Sequence, residues 1–179
     1  MTGSPETFLV QPIHPLHPFH EKPFLLVNSK ESTELTFKCV ESAFLACCFK
    51  GLEVQKIFQE LSGEAARDRY EQITLKNAKW AAESPYGLRD DLAQLSPSGL
   101  SAPAIILSRL VRLKFARDDR FRELVMMGSK LTYRIEPVKK KLKPWPSDMW
   151  WLYCITEMRI REENRWSHSP PLGDVAAAP

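Results

Sequence analysis

The chain has 179 residues, 44% of them hydrophobic and 26% charged, which fits one ordinary domain with tails and excludes wholesale disorder, a fibrous class and two full cores. A net charge of +3, from 25 Lys and Arg against 22 Asp and Glu, is too small and too evenly mixed to indicate nucleic acid by itself. No apolar run approaches the roughly 18 residues of a membrane span, and the N-terminus lacks the basic-then-apolar layout of a signal peptide, so a soluble cytoplasmic protein without a membrane partner is expected.

Residues 1–14 read as an irregular proline-rich lead-in, because Pro5, Pro12 and the following Pro15, Pro18 and Pro23 remove backbone donors. His14, His17 and His20 recur every third residue, a spacing that could face a metal from a polyproline-like coil, yet no fourth ligand or rigid frame accompanies them. Phe24 to Val27 and Leu35 to Phe37 are apolar runs joined by a polar turn, which predicts a hairpin. Val40, Phe44, Cys47 and Cys48 share one face of a buried helix ending near Gly51, and a second helix is expected from Glu53 to about Leu61. Ser62 is placed to cap a third helix.

From Ala82 to Pro103, five Pro and Gly residues predict a loop, interrupted by one turn around Asp90 to Leu95. Ser101 caps the next helix, with Pro103 tolerated in its first turn and Ile106, Leu110 and Leu113 as its stripe. Asp118 caps another, striped by Phe121, Leu124 and Val125 and stopped by Gly128. Leu131, Tyr133 and Ile135 alternate with polar residues as in a half-buried strand. A basic loop follows at Lys139, Lys140, Lys141 and Lys143, then a last amphipathic helix carrying Ile155, Met158 and Trp166, and a disordered tail over 167–179. Cys39, Cys47, Cys48 and Cys154 form no CxxC pair and read as buried reduced thiols.

No phosphate loop, HExxH, GxSxG or Cys/His metal motif is present, which leaves carboxylates and aromatics as candidates. Glu41 lies in the first turn of an otherwise apolar helix. There it is either satisfied by free backbone N–H groups or held partly desolvated for catalysis. Asp148 beside Trp150 and Trp151 suits a cleft for a base or sugar, as well as plain core packing.

The block Phe37-Lys38-Cys39-Val40-Glu41-Ser42-Ala43-Phe44-Leu45-Ala46 resembles the F-x-S-V-E-H-x-F-Q-A block of the NADAR (YbiA-like) family. Leu16-His17-Pro18-Phe19 and Pro23-Phe24 before it, Leu110 to Phe115 and Arg122 to Gly128 after it, then Asp148-Met149-Trp150-Trp151 and Met158 to Arg161, are similar to further family motifs in order and spacing. The resemblance runs from about Pro15 to Arg161 and implies a mainly α (α+β) multihelical domain over 15–166 with a few short strands. It also implies a hydrolase of N-glycosidic bonds that uses no metal or redox cofactor. Its substrates would be phosphoribosylated pyrimidine intermediates of riboflavin synthesis or an ADP-ribosylated base, free or in modified nucleic acid. Glu41 matches the motif glutamate and Asp148 the later aspartate, which makes them the expected catalytic pair, with Phe19, Phe44, Lys79, Trp150 and Trp151 holding substrate.

The chain also departs from the family pattern. His17-Pro18 stand for Ser-Asn, Ser42 for histidine and Leu45 for glutamine, and Leu152-Tyr153-Cys154 leads almost directly to Met158 where a glycine-rich stretch is usual. A nucleotide or ADP-ribose binding module that kept the fold and lost turnover is the alternative expectation.

Overall fold

A computed structural model describes residues 7–10, 13–28, 33–97, 99–127, 132–135, 156, 158–160 and 162–164. Among them the chain is mainly α, with four short strands in two separate pairs, which is the expected class. Strands β2 (Phe24–Asn28) and β3 (Thr33–Phe37) form the antiparallel hairpin, with Phe24 opposite Phe37 and Leu26 opposite Leu35. Leu35 and Phe37 are buried while Glu34 and Thr36 are exposed, so the alternation gives the hairpin one inner face.

The lead-in is not irregular throughout. Strand β1 (Thr7–Val10) runs parallel to β4 (Thr132–Ile135), with Thr7 opposite Thr132 and Val10 opposite Ile135. The four residues Thr-Phe-Leu-Val between Pro5 and Pro12 contain no proline and favour extended backbone. Residues 13–20 form turns instead of a polyproline coil, with His17 N donating to His14 O (2.8 Å) and His20 N to His17 O (3.1 Å).

Helix α1 (Val40–Cys47) lies at the centre, where Val40 to Ala46 are all buried, so the helix is enclosed on every side and not on one face alone. Cys39 caps it: its Sγ accepts from Ser42 N (3.5 Å), and Ser42 Oγ accepts from Cys39 N (3.3 Å). Helix α2 (Leu52–Ile57) ends earlier than expected, before buried Phe58. Helix α3 (Gly63–Glu71) starts at the predicted cap, Ser62 Oγ accepting from Ala65 N (3.3 Å). It passes into a π-helical turn (Gln72–Lys76) and then helix α4 (Ala78–Glu83).

Ser101 caps helix α5 (Ala102–Arg117) as expected, but the buried stripe differs from the expected one. Ile106 and Leu113 are only half-buried, whereas Pro103, Ala104, Leu107, Leu110, Val111 and Lys114 face the core. The cation among them hides the true face from a count of apolar residues. Asp118 Oδ1 accepts from Phe121 N (3.1 Å) at the start of helix α6 (Asp119–Met127), whose Phe121 and Val125 are buried. Helical residues recur at 158–160 and 162–164; there Ile160 is buried and Met158, expected on the inner face, is exposed. Gly128, the basic loop, Cys154, Ile155, Trp166 and the tail lie outside the described residues, as do the side chains of β4.

Candidate carboxylate site

Glu41 is the second residue of α1, and its backbone N–H donates to Pro18 O (3.2 Å), which ties the helix start to the turn at 13–20. Its side chain is fully buried, and Oε1 accepts a 2.6 Å bond from Nε of Arg67 on α3, itself buried. Glu41 is thus paired with a cation 26 residues away in sequence. Removing a carboxylate and a guanidinium from water together carries a desolvation cost that packing of apolar residues would avoid.

Phe19 covers this pair. The Arg67 guanidinium lies 4.9 Å from the Phe19 ring centroid, within cation–π range. The ring rests on Gly63, where an added Cβ would come within 2.6 Å of Phe19 Cγ. His17 packs edge-on against the same ring (5.1 Å, 88°), and its Nδ1 accepts from Phe19 N (3.0 Å), so the local backbone orients both rings. On the outer side is a cavity of about 460 Å³ lined by Ile13, Phe19, His20, Glu21, Ser62 and Glu64.

Two of the three histidines make local ring contacts to the backbone. His14 Nδ1 accepts from Leu16 N (3.2 Å), as His17 Nδ1 does from Phe19 N. Burial first, then the charges of Arg120 and Lys114, hold His14 below the usual histidine range. Burial, followed by Lys114, lowers His20 against an opposing pull from Asp118. Both are therefore neutral at pH 7. Among the described residues no three His, Cys, Asp or Glu side chains are grouped to hold a metal ion, and no helix is long and apolar enough to cross a membrane.

The other candidate residues are dispersed. Phe44, expected to hold substrate, lies three residues after Glu41 on α1 and is buried in the core. Lys79 is exposed on α4 beside a separate cavity of about 660 Å³ that it shares with Lys76 and Trp80. Asp148, Trp150 and Trp151 lie outside the described residues. Among the described residues expected to hold substrate, Phe19 lies against Arg67, the partner of Glu41.

Arg67 is absent from the expected site residues, because a cation interrupts the apolar pattern of α3. Gly63, Ala66, Arg67 and Tyr70 are the buried residues of α3 and follow i, i+3, i+4, i+7, so the arginine stands in the middle of an inner face. Comparisons with protein-family models, with curated proteins and with solved structures found no match to this chain.

Proposed function

We propose that the protein is an N-glycosidase that hydrolyses the N-ribosyl bond of a ribosylated base, either ADP-ribosylated guanine or a phosphoribosylated intermediate of riboflavin synthesis, with Glu41 as the essential carboxylate. The observation that carries this reading is that the motif glutamate is paired to a buried cation, Arg67, at 2.6 Å. Cleavage of the bond sends its electron pair to the departing base and leaves positive charge on the ribose, which a fixed carboxylate stabilises. Water then adds to the anomeric carbon and gives up a proton, to Glu41 or to the base. Phe19, lining the outer cavity and in contact with Arg67, is suited to meet the base as substrate enters. Asp148 keeps the role that the resemblance implies, orienting water or ribose hydroxyls, with Trp150 and Trp151 against the base.

A second reading has an observation of its own. Glu41 has no exposed surface, which favours a module that binds a nucleotide or ADP-ribose in the outer cavity without turnover. Incubation with ADP-ribosylated guanosine and with a ribosylaminopyrimidine 5′-phosphate, followed by mass detection of free base, separates the two. Release by wild type and none by Glu41→Gln is expected. No release by wild type, together with a thermal shift on adding ADP-ribose, would leave the binding module standing. Glu41→Gln keeps an acceptor for Arg67 but strands a buried guanidinium, at a stability cost of about 3 kcal/mol. Both proteins are therefore compared well below the melting temperature of the variant.

A further inference from the structure

We infer that Arg67 is the positioning residue of the Glu41 site, fixing the orientation of the carboxylate and keeping it charged, with Phe19 on Gly63 closing the pair from water. This inference rests on the N-glycosidase reading and assigns a role to a residue that belongs to none of the motifs.

Geometry argues for it in three ways. The contact uses Nε at 2.6 Å, and both side chains are almost wholly buried, so neither partner has bulk water as a substitute. Arg67 sits on α3 and Glu41 on α1, two helices packed against each other, which fixes the distance between them through the core. The third point is the cover. Gly63 leaves room for the Phe19 ring, and the ring in turn lies on the guanidinium, so one small residue on α3 lets an aromatic side chain cover the cation of the same helix.

The charge state of Glu41 depends on opposing effects: burial favours the neutral acid, and a cation in contact favours the carboxylate. Each element packed on α1 bears on that balance. From α3 the buried cation is Arg67. From α5 it is Lys114, whose Nζ is bonded to Pro15 O (2.7 Å) and His17 O (3.4 Å). The charged residues of α2, Glu53 and Lys56, pair with each other on the surface, and Glu34 of β3 is exposed. The thiols of Cys39 and Cys48 are close enough to feel the negative charge of Glu41 and are kept protonated by burial. From the turn at 13–20, His17 contributes a buried ring whose Nδ1 is an acceptor. Arg67 is the cation in direct contact with the Glu41 carboxylate, so its removal takes away a contact that favours the charged form.

The test compares base release by wild type, Arg67→Lys and Arg67→Met across pH, with separate kcat and KM. Arg67→Lys retains the charge and loses the fixed Nε geometry, so kcat should fall about tenfold to a hundredfold with KM within about twofold and the acid limb of the profile in place. Arg67→Met should be inactive at neutral pH and gain rate as pH rises, its acid limb moved upward. If it fails to fold, Arg67→Lys carries the test through its kcat alone. Variants that melt at lower temperature but keep the wild-type kcat and acid limb would overturn the assignment and leave Arg67 a structural partner. If wild type itself releases no base, the N-glycosidase reading fails and this assignment falls with it; an active wild type with indifferent Arg67 variants sinks the assignment only.

Discussion

At the scale of single residues, the three described cysteines are thiols that the fold keeps protonated. Burial pushes the Cys47 thiol up to about 11, partly opposed by the positive charge of Arg89. Burial also raises Cys39, against the opposing bonds from Ser42, and raises Cys48 further, with the charges of Cys47 and Glu41 adding to the effect. The consequence for stability has a definite sign. An unfolded thiol loses its proton near 9 while folded Cys47 keeps it to about 11. Between those values the folded state binds the extra proton, and stability falls as pH rises. For Cys47 the slope is about 1.4 kcal/mol per pH unit, ending above pH 11. Urea midpoints of wild type and Cys47→Ala from pH 8 to 10.5 would measure it: the variant should show the shallower decline, and parallel curves would mean that the thiol is as accessible folded as unfolded.

Among elements, what the sequence disclosed and what it concealed divide along a physical line. Ser62, Ser101 and Asp118 were legible as caps because a capping side chain acts on the backbone two or three residues away, and all three accept the expected bond. The hairpin was legible because two short apolar runs and the polar stretch between them are a local signal too. The inner faces of α3 and α5 were not, since each contains a cation, Arg67 or Lys114, whose partner comes from a distant segment. The candidate site shares this limit: Glu41 and Phe19 could be named from their motifs, but nothing local says that Arg67 joins them. Lys114 shows what such a cation does for an element. Its Nζ reaches two carbonyls of the turn at 13–20 and lies 4.5 Å from the Phe121 ring centroid, so α5 holds both that turn and α6. Lys114→Met relieves the desolvation of the ammonium but deprives the Pro15 and His17 carbonyls of this donor, and a net loss of about 2 kcal/mol is expected. A lowered denaturant midpoint with faster exchange of the His17 and His20 amide protons would bear this out; a midpoint at or above wild type would mean that the cation is merely tolerated there.

For the molecule as a whole, α5 gathers segments that are far apart in sequence. Besides the turn at 13–20, it reaches Leu25 O through Arg117 and Glu163 through a two-bond pair from Arg112 (2.6 and 2.9 Å). The parallel pairing of β1 with β4 closes a still longer span, Thr7 to Thr132, and no hairpin signal could have announced it, because parallel strands need a crossover and here nearly the whole helical body supplies one. Such a contact forms only after the chain between has been ordered, which makes it a late and non-local part of folding. It also means that β4 depends on β1: among the described residues the two strands have only each other as sheet partners. Deleting residues 1–10 should therefore leave α1 to α6 folded, with unchanged helical circular dichroism, while amide exchange at 132–135 accelerates at least about tenfold, the response of a strand that has lost its only ladder. Equal protection at 132–135 with and without the first ten residues would show that the helical body alone holds β4, and that the parallel pairing follows from the fold without supporting it.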